Sequence, residues 1–440
     1  MSMLNRMYHV WLDIRASFWF LPTLIVLTSV LLAFALIELE EYTSASFLDS
    51  WPRAFAASVD GSRSLLSTIA TTTITVTGVV FSSTLVALSL ASSQYSSRIL
   101  RNFMADRGTQ TSLGVFLGIF AYCLIVLRTI SGGENQFVPS VAVLTGLMLG
   151  FLGIAILIYF IHHLARSIQA NHILAEVASE TICAVAALYP ELSAQVKPES
   201  DIELELQGTE RFWHPVAATK SGYLQSLDVN NLVAFAAKKG GVIRAQQKVG
   251  EFAVSGVGIL SVHGFLPNKE EAEKIANMCA IGRQRTVEQD VTFGLRQLVD
   301  VALRALSPGV NDTTTATMCI DQLTAVFVAL NKRDIESAFR CEQGQVRLVL
   351  AGPNYADLFA TGFDQIRQNA AGNVWILKHL LSAFRIIARD TSAHERRTVV
   401  LTHVLAVTEV VEETITLTRD KDILLAFAKE TQNAVESIEH

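Results

Sequence analysis

The sequence predicts an α-helical membrane domain with four transmembrane helices, followed by a cytoplasmic α+β region with a small β module and a helical C-terminal part. Three observations predict it. Half of the 440 residues are hydrophobic and only 17% are charged, against about 25% charged in an ordinary soluble domain; mean hydropathy is +0.37. Every lysine lies at or beyond Lys197. Before it come four charge-free runs, Ala16 to Ile37, Ser64 to Ser97, Gly108 to Leu127 and Asn135 to Ile161. Each meets the roughly 20 residues that a membrane-crossing helix needs. This composition excludes a disordered chain, a collagen and a disulfide scaffold. The net charge of -6 argues against a nucleic-acid partner, which calls for a basic stripe.

The elements follow in order. Residues 1–15 carry Leu4, Met7, Trp11 and Ile14 at helical spacing, which predicts an interfacial helix on the membrane surface. The membrane domain covers 16–166, with spans at about 16–37, 64–92, 109–128 and 137–161. The first run has no small-residue cleavage site behind it, and Glu38, Glu40 and Glu41 follow directly, so it reads as a span and not as a signal peptide. Arginines set the orientation. Arg6 and Arg15 precede the first span, Arg98, Arg101 and Arg107 separate the second and third, and Arg166 follows the fourth. Positive charge stays inside, so both termini are expected in the cytoplasm of a multi-pass protein. The lipid bilayer is the first expected partner.

Residues 167–200 read as a helical stalk and linker, with the fourth span continuing as a helix to Tyr189-Pro190. The β module is expected over 201–266. It opens with the alternating Ile202-Glu203-Leu204-Glu205-Leu206 strand and continues with Ser221 to Asp228 as a turn and strand. A short helix spans Asn230 to Lys239, with Asn230 as N-cap and Gly240 closing it. Strands at Val242-Ile243-Arg244, Gly250 to Val254 and Gly258 to Val262 complete it. This pattern resembles the small barrel-sandwich hybrid of lipoyl and biotinyl domains. Those carriers present a lysine in a tight hairpin. Here Lys238 and Lys239 stand at a helix end instead, so the module reads as barrel-sandwich-like but structural.

Residues 267–440 read as mainly helical, with helices at Glu270 to Met278, Thr286 to Leu306, Thr314 to Leu330, Tyr355 to Asn369, Trp375 to Asp390, Ala393 to Leu417 and Asp422 to Ile438, and a strand at Gln345 to Leu350. Arg296, Asp300 and Arg304 recur every four residues, as an ion-pair ladder or an interface would. Ser307, Pro308, Gly309, Val310 and Asn311 break the chain, and Asp312 or Thr313 caps the helix that follows. The turn Ser307, Pro308, Gly309, Asn311 and Asp312 is either structural or a ligand site. Asp290, Asp300 and Asp321 are the carboxylates that could join it there.

The stretch Arg296 to Asp300, then Arg304-Ala305-Leu306-Ser307-Pro308-Gly309-Val310-Asn311-Asp312, then Cys319-Ile320-Asp321, resembles the signature of a bacterial family of predicted membrane proteins, a domain of unknown function. Val79 to Ser82, Ser92 to Arg98 and Ser221 to Gln225 are similar to it too. The resemblance implies four spans, a large cytoplasmic region and a place in the bacterial inner membrane. It brings no catalytic residues. It expects proline where this chain has Thr313.

Among motifs with a mechanism there is no P-loop, no dinucleotide fingerprint after a strand and no zincin helix. The five cysteines have no metal spacing, and His162, His163 and His172 have only Glu176 nearby as a further ligand. No cofactor, no metal and no enzymatic activity are expected. What stands out is the second span. From Ser64 to Ser97 nearly half of the residues are serine or threonine. Ser64, Thr68, Thr71, Thr75, Gly78, Ser82, Ser89, Ser93 and Ser96 form one seam, in steps of mostly four and three. At 1.5 Å per residue the run is about 51 Å long, more than the roughly 30 Å hydrocarbon core. Such a seam either packs helices closely or lines a water-filled path in an oligomer, with Arg98 and Arg101 at its cytoplasmic mouth. The expected function is a homo-oligomeric, channel-like pore for an ion or small solute, assembled or gated by the cytoplasmic domain. The alternative is a non-conducting scaffold or sensor that binds a partner or small ligand.

Overall fold

The computed structural model describes residues 19–42, 58–94, 106–131, 137–191, 213–287, 289–335, 338–391 and 393–436. The expected interfacial helix 1–15, the strand 202–206 and residues Ser96, Arg98 and Arg101 lie outside them. The chain divides into two compact units, residues 2–172 and 173–440.

The first unit is built of helices α1 (Phe20–Tyr42), α2 (Val59–Gln94), α3 (Arg107–Thr129) and α4 (Ser140–Ser167). All four are long and apolar enough to cross a membrane, and they coincide with the four runs expected from sequence. α3 is the hub, packed against α1, α2 and α4, and more than half of it is buried. Glycine makes this possible. A Cβ at Gly114 would stand 2.8 Å from Ile25 and 2.9 Å from the backbone of Pro22, and one at Gly118 would stand 2.5 Å from the Ser29 hydroxyl. These two glycines, four apart, let α1 and α3 approach as small-residue motifs do in lipid. Gly146 of α4 likewise faces Leu66 of α2, where a Cβ would stand 2.7 Å away. Two polar groups of the bundle are tied down. Tyr122 donates to the Ala142 carbonyl at 2.8 Å, and Arg63 donates to the carbonyl of Ile130, the C-cap of α3, at 2.9 Å, a favourable place for a cation.

The helix expected to run on from the fourth span is broken at Ile168 and Gln169, and α5 (Ala170–Leu188) follows. The second unit begins within α5 and is an α+β region with mixed sheets. Its strands are β1 (His214–Ala217), β2 (Gly222–Leu227), β3 (Val242–Ala245), β4 (Phe252–Ala253), β5 (Gly258–His263), β6 (Cys279–Gly282), β7 (Phe339–Glu342) and β8 (Gln345–Val349). Five of them form a sheet in the order β1-β5-β3-β8-β7, and three form a sheet in the order β4-β2-β6. β6, and the β7–β8 hairpin through the parallel β3–β8 pair, therefore join sheets begun by the strands before residue 264. Ile243, Leu260, Val262 and Leu348 of the large sheet share one core with Leu224 and Ile281 of the small one.

Helices α6 (Val229–Lys239) and α7 (Lys269–Ala276) belong to this core. α6 is capped by Asp228, whose carboxylate accepts from Asn231 N, and not by Asn230. The aspartate directly before the helix reaches its third residue, as an N-cap must. Gly240 ends α6 with a left-handed φ of 70°, as expected. The helical part comprises α8 (Val291–Ala305), α9 (Thr313–Asn331), α10 (Tyr355–Asn369), α11 (Val374–Arg389), α12 (His394–Thr414) and α13 (Thr418–Glu436). α9 is a fifth helix long and apolar enough to span a membrane by composition. In this unit it buries Ala316, Cys319, Ile320, Leu323 and Phe327 and packs on α8 and α11.

Candidate functional site

The seam of α2 has a definite place in the first unit. Leu66, Ala70, Thr73, Thr77, Val80 and Ala87 are the buried stripe of that helix. Ser64, Thr68, Thr71, Thr75, Gly78, Ser82 and Ser89 are all exposed. At 3.6 residues per turn the two stripes lie roughly 170° apart around the axis. The seam thus packs against nothing among the described residues. It is bordered by exposed large side chains, Ile74, Phe81 and Leu85 on one margin and Val79, Val86 and Leu90 on the other. Ser93 falls in the last turn of the helix.

The seam hydroxyls are partly self-satisfied. Thr68 Oγ1 donates to the Ser64 carbonyl at 2.7 Å and Thr75 Oγ1 to the Thr71 carbonyl at 2.8 Å. This back-bonding removes an unpaired donor from an apolar medium. Beside the seam, an apolar groove of about 260 Å³ opens between α2 and α4 above Phe116, lined among others by Thr72, Gly150 and Ile154.

At the other end of α3, Asp106 is the N-cap. Its Oδ1 accepts from Gly108 N at 3.1 Å and its Oδ2 from Thr109 N at 3.0 Å. His163 of α4 reaches the same carboxylate at 2.8 Å, and Tyr159 stacks on the imidazole at 5.5 Å. Burial pushes the Asp106 carboxyl up, but the bonds from Thr109 and His163 outweigh it and hold it below its ordinary value. His163 is therefore a helix-to-helix tie. Among the described residues no group of three or more His, Cys, Asp or Glu side chains is placed to hold a metal ion.

In the second unit, the Ser307 to Asp312 turn joins α8 to α9. Asn311 takes a left-handed φ of 47°, a conformation asparagine tolerates. Asp312 is the N-cap of α9, accepting from Thr315 N at 3.0 Å and Thr315 Oγ1 at 2.6 Å; these bonds pull its carboxyl below the ordinary value. The carboxylates do not converge here. Asp290 caps the opposite end of α8, about 22 Å away at 1.5 Å per residue. Asp321 pairs with His379 at 2.7 Å. Arg296 donates to Gln365 of α10 at 2.8 Å.

Asp290 is 4% exposed. It accepts from Phe293 N at 3.0 Å and Arg285 Nε at 2.8 Å, with Arg285 Nη2 at 2.7 Å. Burial pushes its carboxyl up against the pull of Arg285, and burial wins. Gly250, at φ 94°, leaves no space for a Cβ between this pair and its own strand turn. Sequence reading missed the Arg285–Asp290–Gly250 lock, in which Arg285 is five residues from Asp290 but Gly250 is 40 residues away. It also missed Gly114 and Gly118, which a search for paired glycines in an apolar run would find.

Comparison with known proteins fits these features. The profile of the DUF2254 family, described as a predicted membrane protein, matches residues 15–385. The chain belongs to this family. It is similar to the uncharacterized protein MT1328 of Mycobacterium tuberculosis (strain CDC 1551 / Oshkosh), at 33% identity over 99% of this chain and 84% of that one. It is similar at 32% identity, over the same shares, to the uncharacterized proteins Mb1321c of Mycobacterium bovis and Rv1290c of Mycobacterium tuberculosis (strain H37Rv). No solved structure matches. Family membership makes the chain a predicted membrane protein, in keeping with its apolar helices.

Proposed function

We propose that the chain assembles as a homo-oligomer in the bacterial inner membrane and forms a channel-like pore for an ion or small solute, lined by the α2 seam. α1 to α4 are its four spans, with both termini in the cytoplasm. α9 is a core helix of a cytoplasmic region that assembles or gates the pore, and the strands between 214 and 263 belong to a barrel-sandwich-like structural module. The chain is not an enzyme.

One observation carries the reading. The seam faces directly away from its own bundle and is fenced by two apolar margins. A strip of hydroxyl and glycine positions between greasy flanks suits a helix that meets its copies at the margins and water at the centre. At 36 residues, α2 is about 54 Å long, so its last turns extend past the membrane toward Arg98 and Arg101, which favour anions at that mouth.

A second reading rests on the back-bonded threonines. Hydroxyls already satisfied by their own helix suit a dry packing surface, and the protein is then a non-conducting scaffold or sensor. Both readings bring copies together on the seam side of α2, either at its margins around a wet axis or across the seam itself. Single cysteines at Thr75 and Gly78 should therefore cross-link between copies in native membranes, while a cysteine at Leu66, which faces its own bundle, should not. Equal yields from all three positions would refute assembly through this face.

A further inference from the structure

The large sheet of the second unit has one face on the core and one turned from it. Ile243 pairs with Val262 of β5 and Leu348 of β8, and all three are core residues. Alternation along a strand then puts Arg244, His263 and Arg347 on the opposite face. His214 pairs with Val262, so Trp213 stands beside His263. The contacts agree. The Arg244 guanidinium lies 4.2 Å from the centre of the Trp213 ring, and Trp213 and His263 are 5.3 Å apart. Arg244 pairs with Val349, two residues beyond Arg347, so the two arginines are diagonal neighbours about 7–8 Å apart at Cα.

What sets this face apart is unmet hydrogen-bonding capacity. Trp213 Nε1, His263 Nδ1 and Arg347 Nε are buried and have no hydrogen-bond partner among the described residues. Arg347 spends its other nitrogens on the Gly241 carbonyl and Gln345. Arg244 makes no ion pair or hydrogen bond among the described residues; its contact is the indole face. Buried polar groups are normally satisfied, so donors gathered on one face point to an absent acceptor. Glu342, which pairs with Gln345 on the edge strand, also has a buried oxygen without a hydrogen-bond partner among the described residues.

We propose that Arg244, Arg347, His263 and Trp213 form an oxyanion site for a phosphate group. Guanidinium forks match phosphate oxygens. A polyvalent tetrahedral group offers acceptors enough for two arginines, an indole N–H and an imidazole, where a single carboxylate would leave donors unmet. The phosphate comes either from a soluble metabolite or from an anionic lipid headgroup. This proposal stands apart from whether the spans conduct.

The test uses the full-length protein. In detergent, inorganic pyrophosphate is titrated by calorimetry against chloride at matched ionic strength. In a second arm, nanodiscs of phosphatidylcholine with and without phosphatidylglycerol are compared by hydrogen exchange at residues 242–245 and 258–263. A soluble ligand predicts saturable pyrophosphate binding, weakened roughly tenfold or more in R244Q and in R347Q, as the loss of a charged hydrogen bond implies. A lipid source predicts protection that appears only with phosphatidylglycerol and disappears in the same variants. R244K and W213F, which keep the packing, carry the comparison if R244Q fails to fold. No saturable binding in either arm, or binding that survives in all of these variants, overturns the site.

Discussion

Replacing Asp290 by alanine should destabilise the C-terminal region by about 2–3 kcal/mol. Loss of the N-cap bond to Phe293 N at 3.0 Å accounts for about 1 kcal/mol. The remainder comes from Arg285, which loses both contacts to the carboxylate. A fully buried orphan would cost about 3–5 kcal/mol, but Arg285 is 27% exposed and recovers part of its hydration, which brings this share to about 1–2 kcal/mol. For a region of this size that lowers the unfolding midpoint by roughly 4–12 °C. The assay is thermal unfolding of the full chain in detergent, with R285A and the double variant completing a cycle. The sum of the single effects should exceed the double effect by more than 0.5 kcal/mol on the scale of about 0.5–3 for contacting pairs. The pH dependence has a fixed sign. The carboxyl pKa is raised in the native state, so the native chain keeps a proton there where the unfolded chain has lost it. Wild-type stability relative to D290A is therefore greatest below the ordinary carboxylate range and falls as pH rises through the raised value. Additive single effects, or a D290A cost below 1 kcal/mol, would refute the lock.

Asp312→Ala should cost about 0.5–2 kcal/mol through the lost cap. Because the Asp312 carboxyl is held below its ordinary value, that contribution is present above about pH 3.9 and is lost as pH falls through the native value. An unchanged midpoint with a lost ligand affinity would make the turn a binding site instead. Gly118→Leu should force α1 from α3 and cost about 1–3 kcal/mol as other overpacked sites do, read as a lower midpoint in detergent; an unchanged midpoint would contradict the close contact with Ser29. Membrane-impermeant thiol reagents should miss Cys183 and Cys341 in intact cells and modify them in inverted vesicles. Cys279 and Cys319 should stay unreactive in both, since they are buried and burial raises their thiol pKa, for Cys279 to about 12. Labelling of Cys183 or Cys341 in sealed cells would reverse the orientation.

The sequence carried the helices well because their signals are local. Four charge-free runs became α1 to α4, Gly240 ended α6, and Asp312 capped α9. Caps were harder, since Asp228 and Asn230 are both good N-caps and only the chain's path out of β2 decides between them. The helix break at Ile168 and Gln169 carries no proline or glycine and left no trace. The sheets were harder still. β3 and β8 are about a hundred residues apart, and nothing in Val242-Ile243-Arg244 announces a parallel partner at Leu348. At the candidate site, spacing identified the seam as one helix face. It could not say that the bundle would close on the other face through Leu66, Ala70 and Val80, because that depends on Gly146 and on the position of α4.

The most direct test of the central claim places leucine at Thr71, Thr75 and Ser82 and measures two quantities on the same preparations: ion or solute flux into proteoliposomes and oligomer size in detergent. A pore lined by the seam predicts flux in the wild type, and its loss in the variants with the oligomer intact, because a hydrophobic constriction closes by dewetting. Dissociation of the oligomer by the same substitutions, or a wild type that passes nothing under any imposed gradient, would contradict the pore.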